Sequence, residues 1–170
     1  MEANPLEHSD AALQKLARQV SDALRTRAER IATAESCTGG WIAKVLTDLP
    51  GSSAVFSDGF ITYSDEAKIS RLAVARRVIE THGAVSAQVV KAMAAGALAH
   101  SGSQVAVAVS GIAGPGGARP GKPVGTVWIG WQHIGGGARQ TEFQFPGDRE
   151  AVRRASVAEA LYGALRSLAS

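Results

Sequence analysis

Two hydroxyl groups and a thiol, those of Ser36, Thr38 and Cys37, lie together in the segment Ala34-Glu35-Ser36-Cys37-Thr38-Gly39-Gly40. This segment lies between a short β-prone run and an amphipathic helical pattern. A strand that turns sharply into a helix brings hydroxyl and thiol groups to the positive end of the helix dipole. Such a corner suits an anion or a developing oxyanion. Ser36 is therefore a candidate nucleophile, with a helix cap as the alternative interpretation. Cys37 is a second candidate nucleophile, or else a small buried residue.

A serine nucleophile needs a base, and the histidines do not offer a usable one. They are His8, His82, His100 and His133. None of them lies in the segments 36–40, 63–68 or 110–117, and only His82, just before a helix cap, stays a weak candidate. Lysine is the alternative base when burial or nearby positive charge lowers its pKa. Lys68 lies near the start of a short predicted helix, so it is either this base or an exposed helix lysine. Tyr63 ends a strand and is a candidate to orient Lys68 or to donate a hydrogen bond to a substrate. The alternative interpretation is an aromatic side chain at the end of the sheet.

A glycine-rich loop, Ser110-Gly111-Ile112-Ala113-Gly114-Pro115-Gly116-Gly117, is the third candidate segment. Its successive backbone N–H groups can form an anion-binding nest, and a structural turn is the alternative. The loop lacks both the Gly-Lys-Ser/Thr ending of a P-loop and the spacing of a dinucleotide fingerprint. Arg149, just before the last predicted helix, is a candidate phosphate ligand or one half of a surface ion pair.

Hydrophobic periodicity places these segments on an α/β fold. It predicts helices over residues 10–30, 40–48, 66–72, 87–100 and from 149 onward, and strands over residues 31–35, 55–63, 105–109, 125–132 and 138–145. Helix caps are predicted at Ser9 or Asp10, Ser64 or Asp65, Ser86 and Asp148. The Gly135-Gly136-Gly137 turn predicts a hairpin between the last two strands.

The predicted fold class is a three-layer α/β/α sandwich with a mixed, mostly parallel sheet. We expect the 170 residues to form one domain, with residues 1–8 as a flexible tail. Each candidate segment follows a strand, and ligands collect beyond the carboxyl ends of strands in open α/β sheets. We therefore expect the three segments to converge on one cleft if their strands are parallel neighbours.

Composition excludes several classes of protein and site. A single cysteine excludes an intrachain disulfide and a cysteine-cluster metal site. No apolar run reaches the roughly 18 residues of a membrane span, and the N-terminus is not a secretory signal. Net charge is only +3, with no basic stripe and interleaved aromatics typical of nucleic-acid binding. We expect a cytoplasmic protein with no metal, no cofactor, no membrane contact and no nucleic-acid partner.

Six motifs, in this order, resemble the CinA C-terminal domain family. They are Ala34–Gly40, Gly51-Ser52-Ser53, Tyr63–Lys68, His82–Ser86, Ser110–Pro115 and Lys122–Val127. The resemblance covers residues 31 to 165. The family includes nicotinamide mononucleotide (NMN) deamidases, and its larger members carry an additional N-terminal domain, so the chain looks like the stand-alone form.

The resemblance implies hydrolysis of the NMN carboxamide to nicotinate mononucleotide and ammonia, without ATP or metal. It implies Ser36 as nucleophile and Lys68 as base, an acyl-enzyme, an oxyanion held by backbone N–H groups at the following helix start, and help from Tyr63. A homo-oligomer, in the form of a dimer, is also expected. The implied substrate-binding residues are Cys37, Thr38, Gly39, Gly40, Ser53, Ser110, Gly111, Ile112, Ala113, Gly114, Gly116 and Arg149.

Two positions depart from the family pattern. Asp65 stands where asparagine is expected, and Ser57-Asp58-Gly59 stands where Gly-Gly is expected. A carboxylate close to Lys68 would raise the pKa of the lysine and weaken it as a base. The alternative function is therefore a low-activity nucleotide-binding or regulatory module of the same fold. An unrelated acyl or phosphate-ester hydrolase is a third hypothesis if the resemblance misleads.

Overall fold

Five strands form one sheet in the order β2-β1-β3-β4-β5 in a computed structural model that describes residues 8–169. The strands are β1 (Ile31–Glu35), β2 (Phe56–Ile61), β3 (Val105–Gly111), β4 (Thr126–His133) and β5 (Ala138–Gln144). β1 pairs in parallel with β2 and β3, whereas the β3–β4 and β4–β5 pairs are antiparallel. The predicted mixed sheet and terminal hairpin are confirmed, and β4 runs against the other four strands. Residues 1–7 of the predicted tail lie outside the described residues.

Helices cover both faces of the sheet, which confirms the three layers. They are α1 (Asp10–Arg27), α2 (Trp41–Thr47), α3 (Asp65–Leu72), α4 (Arg76–His82), α5 (Ala87–Ser101) and α6 (Arg149–Leu168). α1, α2 and α6 pack on one face, and α3, α4 and α5 pack on the other. No helix within residues 8–169 is long and apolar enough to cross a membrane.

The side chains of β3 explain how the two faces differ. Val105, Val107 and Val109 belong to the core beneath α1, α2 and α6, while Ala106 and Ala108 belong to the core beneath α5. This alternation follows from the period of two residues in a strand. Alanines on one face allow α5 to pack closely, and β1 repeats them at Ala32 and Ala34. The central strands are therefore held on both sides.

Side-chain caps begin four helices. The capping oxygens of Ser9, Ser64, Ser86 and Asp148 accept hydrogen bonds from the N–H groups of Ala12, Ala67, Val89 and Ala151. These caps confirm the predictions. By contrast, α1 ends at Arg27 rather than near Arg30, because Ala28 adopts a left-handed conformation with φ of 52°. α4 was not predicted, because it has one buried residue, Ile79, and no side-chain cap.

Parallel pairing brings the three candidate segments to one edge. β2, β1 and β3 are neighbours that run in the same direction, so their carboxyl ends lie side by side. The segments after Ile61, Glu35 and Gly111 therefore meet there. The strands that precede them are parallel neighbours, as convergence on one cleft requires.

Candidate active site

Ser36 and Lys68 form a buried pair at this edge. Lys68 Nζ lies 3.1 Å from Ser36 Oγ, and it also donates to the carbonyl oxygens of Thr62 (2.8 Å) and Tyr63 (3.3 Å). Lys68 is only 1% exposed to solvent, and Ser36 is 8% exposed. The Ser64 cap starts α3 directly after β2, so the first turn of α3 carries Lys68 over the end of β1. Lys68 is not an exposed helix lysine.

Burial lowers the pKa of Lys68, because removing the ammonium from water disfavours the charged form. Asp65 opposes this by raising the pKa, as expected from the sequence, but burial is the larger effect. A neutral amine has two N–H donors and one lone pair. In the structure Lys68 Nζ donates to all three oxygens, and the Ser36 hydroxyl donates to Tyr63 O at 3.5 Å. A neutral Lys68 keeps the two carbonyl contacts and accepts the Ser36 proton with its lone pair when that hydroxyl rotates toward it.

The Cys37 thiol is unreactive despite its position beside Ser36. Its side chain packs into the core beneath α1, α2 and α6. Burial raises the pKa of the Cys37 thiol to about 12. Because the thiolate is the reactive form, Cys37 cannot act as a nucleophile near neutral pH. The alternative interpretation of Cys37, a small buried residue, is the correct one.

Glu35, rather than Ser36, caps the helix that follows. Its carboxylate is fully buried and accepts four hydrogen bonds. The donors are Thr38 Oγ1 (2.7 Å) and the N–H groups of Gly40 (3.1 Å), Ile42 (3.1 Å) and Ala43 (2.8 Å). A negative charge is stabilised at this end of a helix by the unpaired N–H groups and the dipole. The Ser36 hydroxyl is thereby left to contact Lys68.

The helix start is therefore not where an oxyanion can bind. The prediction that its N–H groups hold one is wrong for Gly40, Ile42 and Ala43, which donate to Glu35. The next free donors are the N–H groups of Cys37 and Thr38, which bond to no other residue in the part of the chain that the structure describes.

Arg153 holds the same corner from the outside. Its Nε donates to Cys37 O (3.0 Å) and its Nη2 donates to Thr38 O (3.2 Å), while its guanidinium lies 5.2 Å from the Trp41 ring centroid. The N–H and C=O of a trans peptide point in opposite directions. A Cys37 carbonyl turned toward Arg153 therefore directs the Thr38 N–H to the opposite side.

Sequence reasoning missed Glu35 and Arg153 as site residues. One signal was available for Arg153: it follows Arg149 by four residues, so the two lie on one face of α6. Glu35 gave a weaker signal, namely a carboxylate at the end of a buried strand, where an unpaired charge would be costly.

Arg149 and Tyr63 meet above the edge of the sheet. Arg149 Nη1 donates to Gly114 O (2.9 Å), and Arg149 Nη2 donates to the Tyr63 hydroxyl (3.1 Å). Arg149 makes no ion pair with any residue between 8 and 169. Tyr63 is 60% exposed, and it touches Lys68 through its carbonyl rather than its hydroxyl.

The glycine-rich loop is partly structural. Ser110 and Gly111 lie within β3, and the N–H of Ile112 donates to Thr126 O, which ties the loop to β4. Gly114 has φ of +83°, and a Cβ there would lie 2.5 Å from Val124 Cγ1, so the turn requires glycine. Ala113 is buried, and Gly116 is exposed.

Ser53 does not join the site within one chain. It lies in the 3₁₀ turn Ser52–Ala54 before β2, where its carbonyl accepts from Arg30 Nη2 (3.3 Å). This is the amino end of β1 and β2, about 15 Å from Ser36 along the strand. Its place in the fold therefore does not support a contact of Ser53 with the substrate within one chain. No group of three or more His, Cys, Asp or Glu side chains among the described residues could hold a metal ion.

The chain is similar to known proteins in family, sequence and structure. The family model described as the CinA C-terminal domain matches residues 13–168. An Escherichia coli protein named nicotinamide-nucleotide amidohydrolase PncC is 50% identical over 153 residues, which are 90% of this chain and 93% of that protein. A CinA-like protein of Akkermansia muciniphila is 56% identical over 136 residues, which are 80% of this chain but only 33% of that relative.

The fold of the chain is also similar to that of a solved structure. The competence/damage inducible protein CihA from Agrobacterium tumefaciens matches with a TM-score of 0.90 and 40% sequence identity, and the match covers 100% of both chains.

The carboxylate of Glu35 generates a prediction about stability. Glu35→Gln keeps the volume but turns an NH₂ group toward backbone N–H donors. We expect the free energy of unfolding, measured by urea denaturation, to fall by about 1–3 kcal/mol. Glu66→Gln is the matched control, because Glu66 forms an exposed ion pair with Arg76 whose loss should leave the free energy of unfolding nearly unchanged. Equal effects of the two substitutions would contradict the capping role of Glu35.

Proposed function

The chain belongs to the CinA C-terminal domain family, and from this premise we propose that it hydrolyses the carboxamide of NMN to nicotinate mononucleotide and ammonia. The observation that carries the proposal is the buried Ser36–Lys68 pair, with Nζ and Oγ 3.1 Å apart. A nucleophile within hydrogen-bond reach of a base is the arrangement that covalent amide hydrolysis needs. The Escherichia coli relative, half identical over nearly its whole length, is named for this activity.

The first half of the proposed reaction makes an acyl-enzyme. Neutral Lys68 takes the proton of Ser36 as Oγ attacks the carboxamide carbon, and the carbonyl electron pair moves onto oxygen. The N–H groups of Cys37 and Thr38 hold the resulting oxyanion, with Thr38 oriented by Arg153. In other acyl-transfer enzymes, a donor of this kind lowers the activation free energy by about 3–4 kcal/mol.

The second half releases the products. As the tetrahedral intermediate collapses, the C–N bond breaks and Lys68 gives its proton to the leaving nitrogen, which departs as ammonia. Water, deprotonated by Lys68, then cleaves the ester on Ser36 and restores the hydroxyl. We assign both proton transfers to Lys68, because Lys68 Nζ already contacts Ser36 Oγ, whereas the Tyr63 side chain is 60% exposed. Tyr63 acts through its carbonyl, which orients Lys68.

Substrate binding is assigned to the corner Cys37–Gly40 and to the glycine-rich loop. Arg149 uses two N–H groups for Gly114 and Tyr63, and a guanidinium has five. The remaining N–H groups are proposed to contact the ribose phosphate beside Gly116. Ser110, Gly111, Ile112 and Ala113 shape the loop from within and contribute through its backbone. A homodimer and a cytoplasmic location stay predictions.

The alternative, a regulatory module with little catalysis, rests on Asp65. The Asp65 carboxylate does raise the pKa of Lys68, but burial lowers it by more. A lysine kept as an ammonium would give three donors and no lone pair for the Ser36 proton. The lowered pKa of Lys68 supports the hydrolase.

Ser36→Ala tests the nucleophile. We expect ammonia release from NMN, assayed without added metal, to fall by at least about 1,000-fold, because no covalent intermediate can form. Ser53→Ala is the matched serine control and should keep full activity, since Ser53 lies at the far end of β1. Undiminished release by the Ser36 variant would reject the nucleophile, and no release by the unaltered protein would reject the function.

The pH dependence tests the base. Because burial lowers the pKa of Lys68, we expect kcat/KM to rise with pH along a limb whose midpoint lies below the ordinary lysine value of about 10.4. Lys68→Met should abolish this limb and lower kcat by at least about 100-fold, while calorimetry still detects NMN binding. A limb that persists in the Lys68 variant would show that another group titrates.

A further inference from the structure

A cleft of about 440 Å³ opens between α3, the end of α4 and the glycine-rich loop. This volume lies within the range of about 300–1,000 Å³ typical of small-molecule sites. Ile79, Val85 and Ile112 supply apolar walls. Asp65 brings the cleft to the candidate active site, because Asp65 and Lys68 are three residues apart and share one face of α3.

The charged residues that line this cleft have both signs. Asp65 and Glu80 are acidic, and Arg119 and Lys122 are basic. None of the ion pairs among residues 8–169 involves any of these four side chains. The cleft therefore presents separate negative and positive groups to a ligand.

The two cations come from one tight turn. The N–H of Arg119 donates to Lys122 O (2.9 Å), and the N–H of Lys122 donates to Arg119 O (2.9 Å). Lys122 Nζ donates to His82 O at 2.9 Å, which fixes it against the end of α4 and leaves it two further N–H donors. The turn follows Gly117, so it extends the loop already assigned to the phosphate.

A ligand that matches this cleft carries a positive group near Asp65 and a negative group near the turn. A pyridine nucleotide has both, because its ring nitrogen is cationic and its ribose bears a phosphate. The ring nitrogen is two bonds from the carbon that carries the carboxamide, so a carboxamide at Ser36 keeps the positive charge near Asp65.

We propose that Asp65 recognises the positive charge of the pyridinium ring and that Arg119 and Lys122 hold the phosphate together with Arg149, so that the cleft selects oxidised pyridine nucleotides. This inference rests on the proposed function and adds the basis of its specificity. It also gives Asp65 a role that offsets its effect on Lys68: one carboxylate attracts the cationic substrate and at the same time makes the base harder to deprotonate.

Binding to a Ser36→Ala protein tests the inference, because the ligands are then not consumed. The probes are NMN and its reduced dihydropyridine form, which has the same phosphate but an uncharged ring. Adding Asp65→Asn should weaken NMN binding on the order of fivefold, the scale of an exposed ion pair, and leave the reduced form unchanged. Adding Lys122→Met should weaken both ligands but spare nicotinamide riboside, which lacks the phosphate.

Glu66→Gln is the matched control, since it removes a carboxylate from the same helical turn but one that faces Arg76 rather than the cleft. It should change neither affinity. With Ser36 intact, Asp65→Asn should raise KM for NMN and move the acid limb of the pH profile to lower pH. A purely structural role would not produce these opposed effects.

The outcomes separate this inference from the proposed function. If Asp65→Asn weakens both ligands equally, or weakens neither, ring-charge recognition is wrong even though the unaltered protein releases ammonia from NMN. If Lys122→Met leaves NMN binding unchanged, the phosphate assignment is wrong. If the unaltered protein neither binds NMN nor releases ammonia from it, the proposed function fails and this inference fails with it.

Discussion

Glu35 ends β1 inside the protein, and its carboxylate accepts four hydrogen bonds from the residues that follow Ser36. A buried carboxylate with this many donors is stable only while the chain keeps this turn, so the charge and the turn require each other. Arg153 binds the outer side of the same turn through two carbonyl oxygens. Because Glu35 satisfies the helix start, the Ser36 hydroxyl is not used as a cap and is available to Lys68.

Burial gives Lys68 both its position and its chemistry. The Ser64 cap starts α3 directly after β2, and the lysine reaches across the end of β1 beneath two carbonyl oxygens. The same burial lowers the pKa of the amine, which a surface lysine would not experience. Asp65 works against that shift, so this chain combines a buried base with a nearby negative charge. In our account that charge is retained because it attracts the cationic substrate.

Sequence patterns predicted much of this arrangement, for identifiable reasons. The apolar run at Val105–Val109 and the hairpin glycines are local signals, so the mixed sheet and the convergence of three loops followed from them. The absence of a usable histidine led to Lys68, and the structure brings Lys68 to Ser36.

Other features depend on contacts that a sequence does not display. Ser53 belongs to a recognisable motif, but the order of motifs along a chain does not say which end of a strand each one occupies. The backbone N–H groups at the start of α2 were expected to be available to an oxyanion, because local propensity does not identify Glu35 as their acceptor. α4 has one buried residue and hence no periodicity to detect.

The proposed mechanism requires Lys68 to be a neutral amine in the folded protein at the pH where it serves Ser36. An NMR titration of the Lys68 side chain, assigned by comparison with the Lys68→Met protein, measures this directly. We expect this amine to titrate below the ordinary lysine value of about 10.4, and lower again when Asp65 is replaced by asparagine. A Lys68 that titrates at or above the ordinary value would be an ammonium throughout the neutral range, and it would contradict the proposed role of Lys68 as the base.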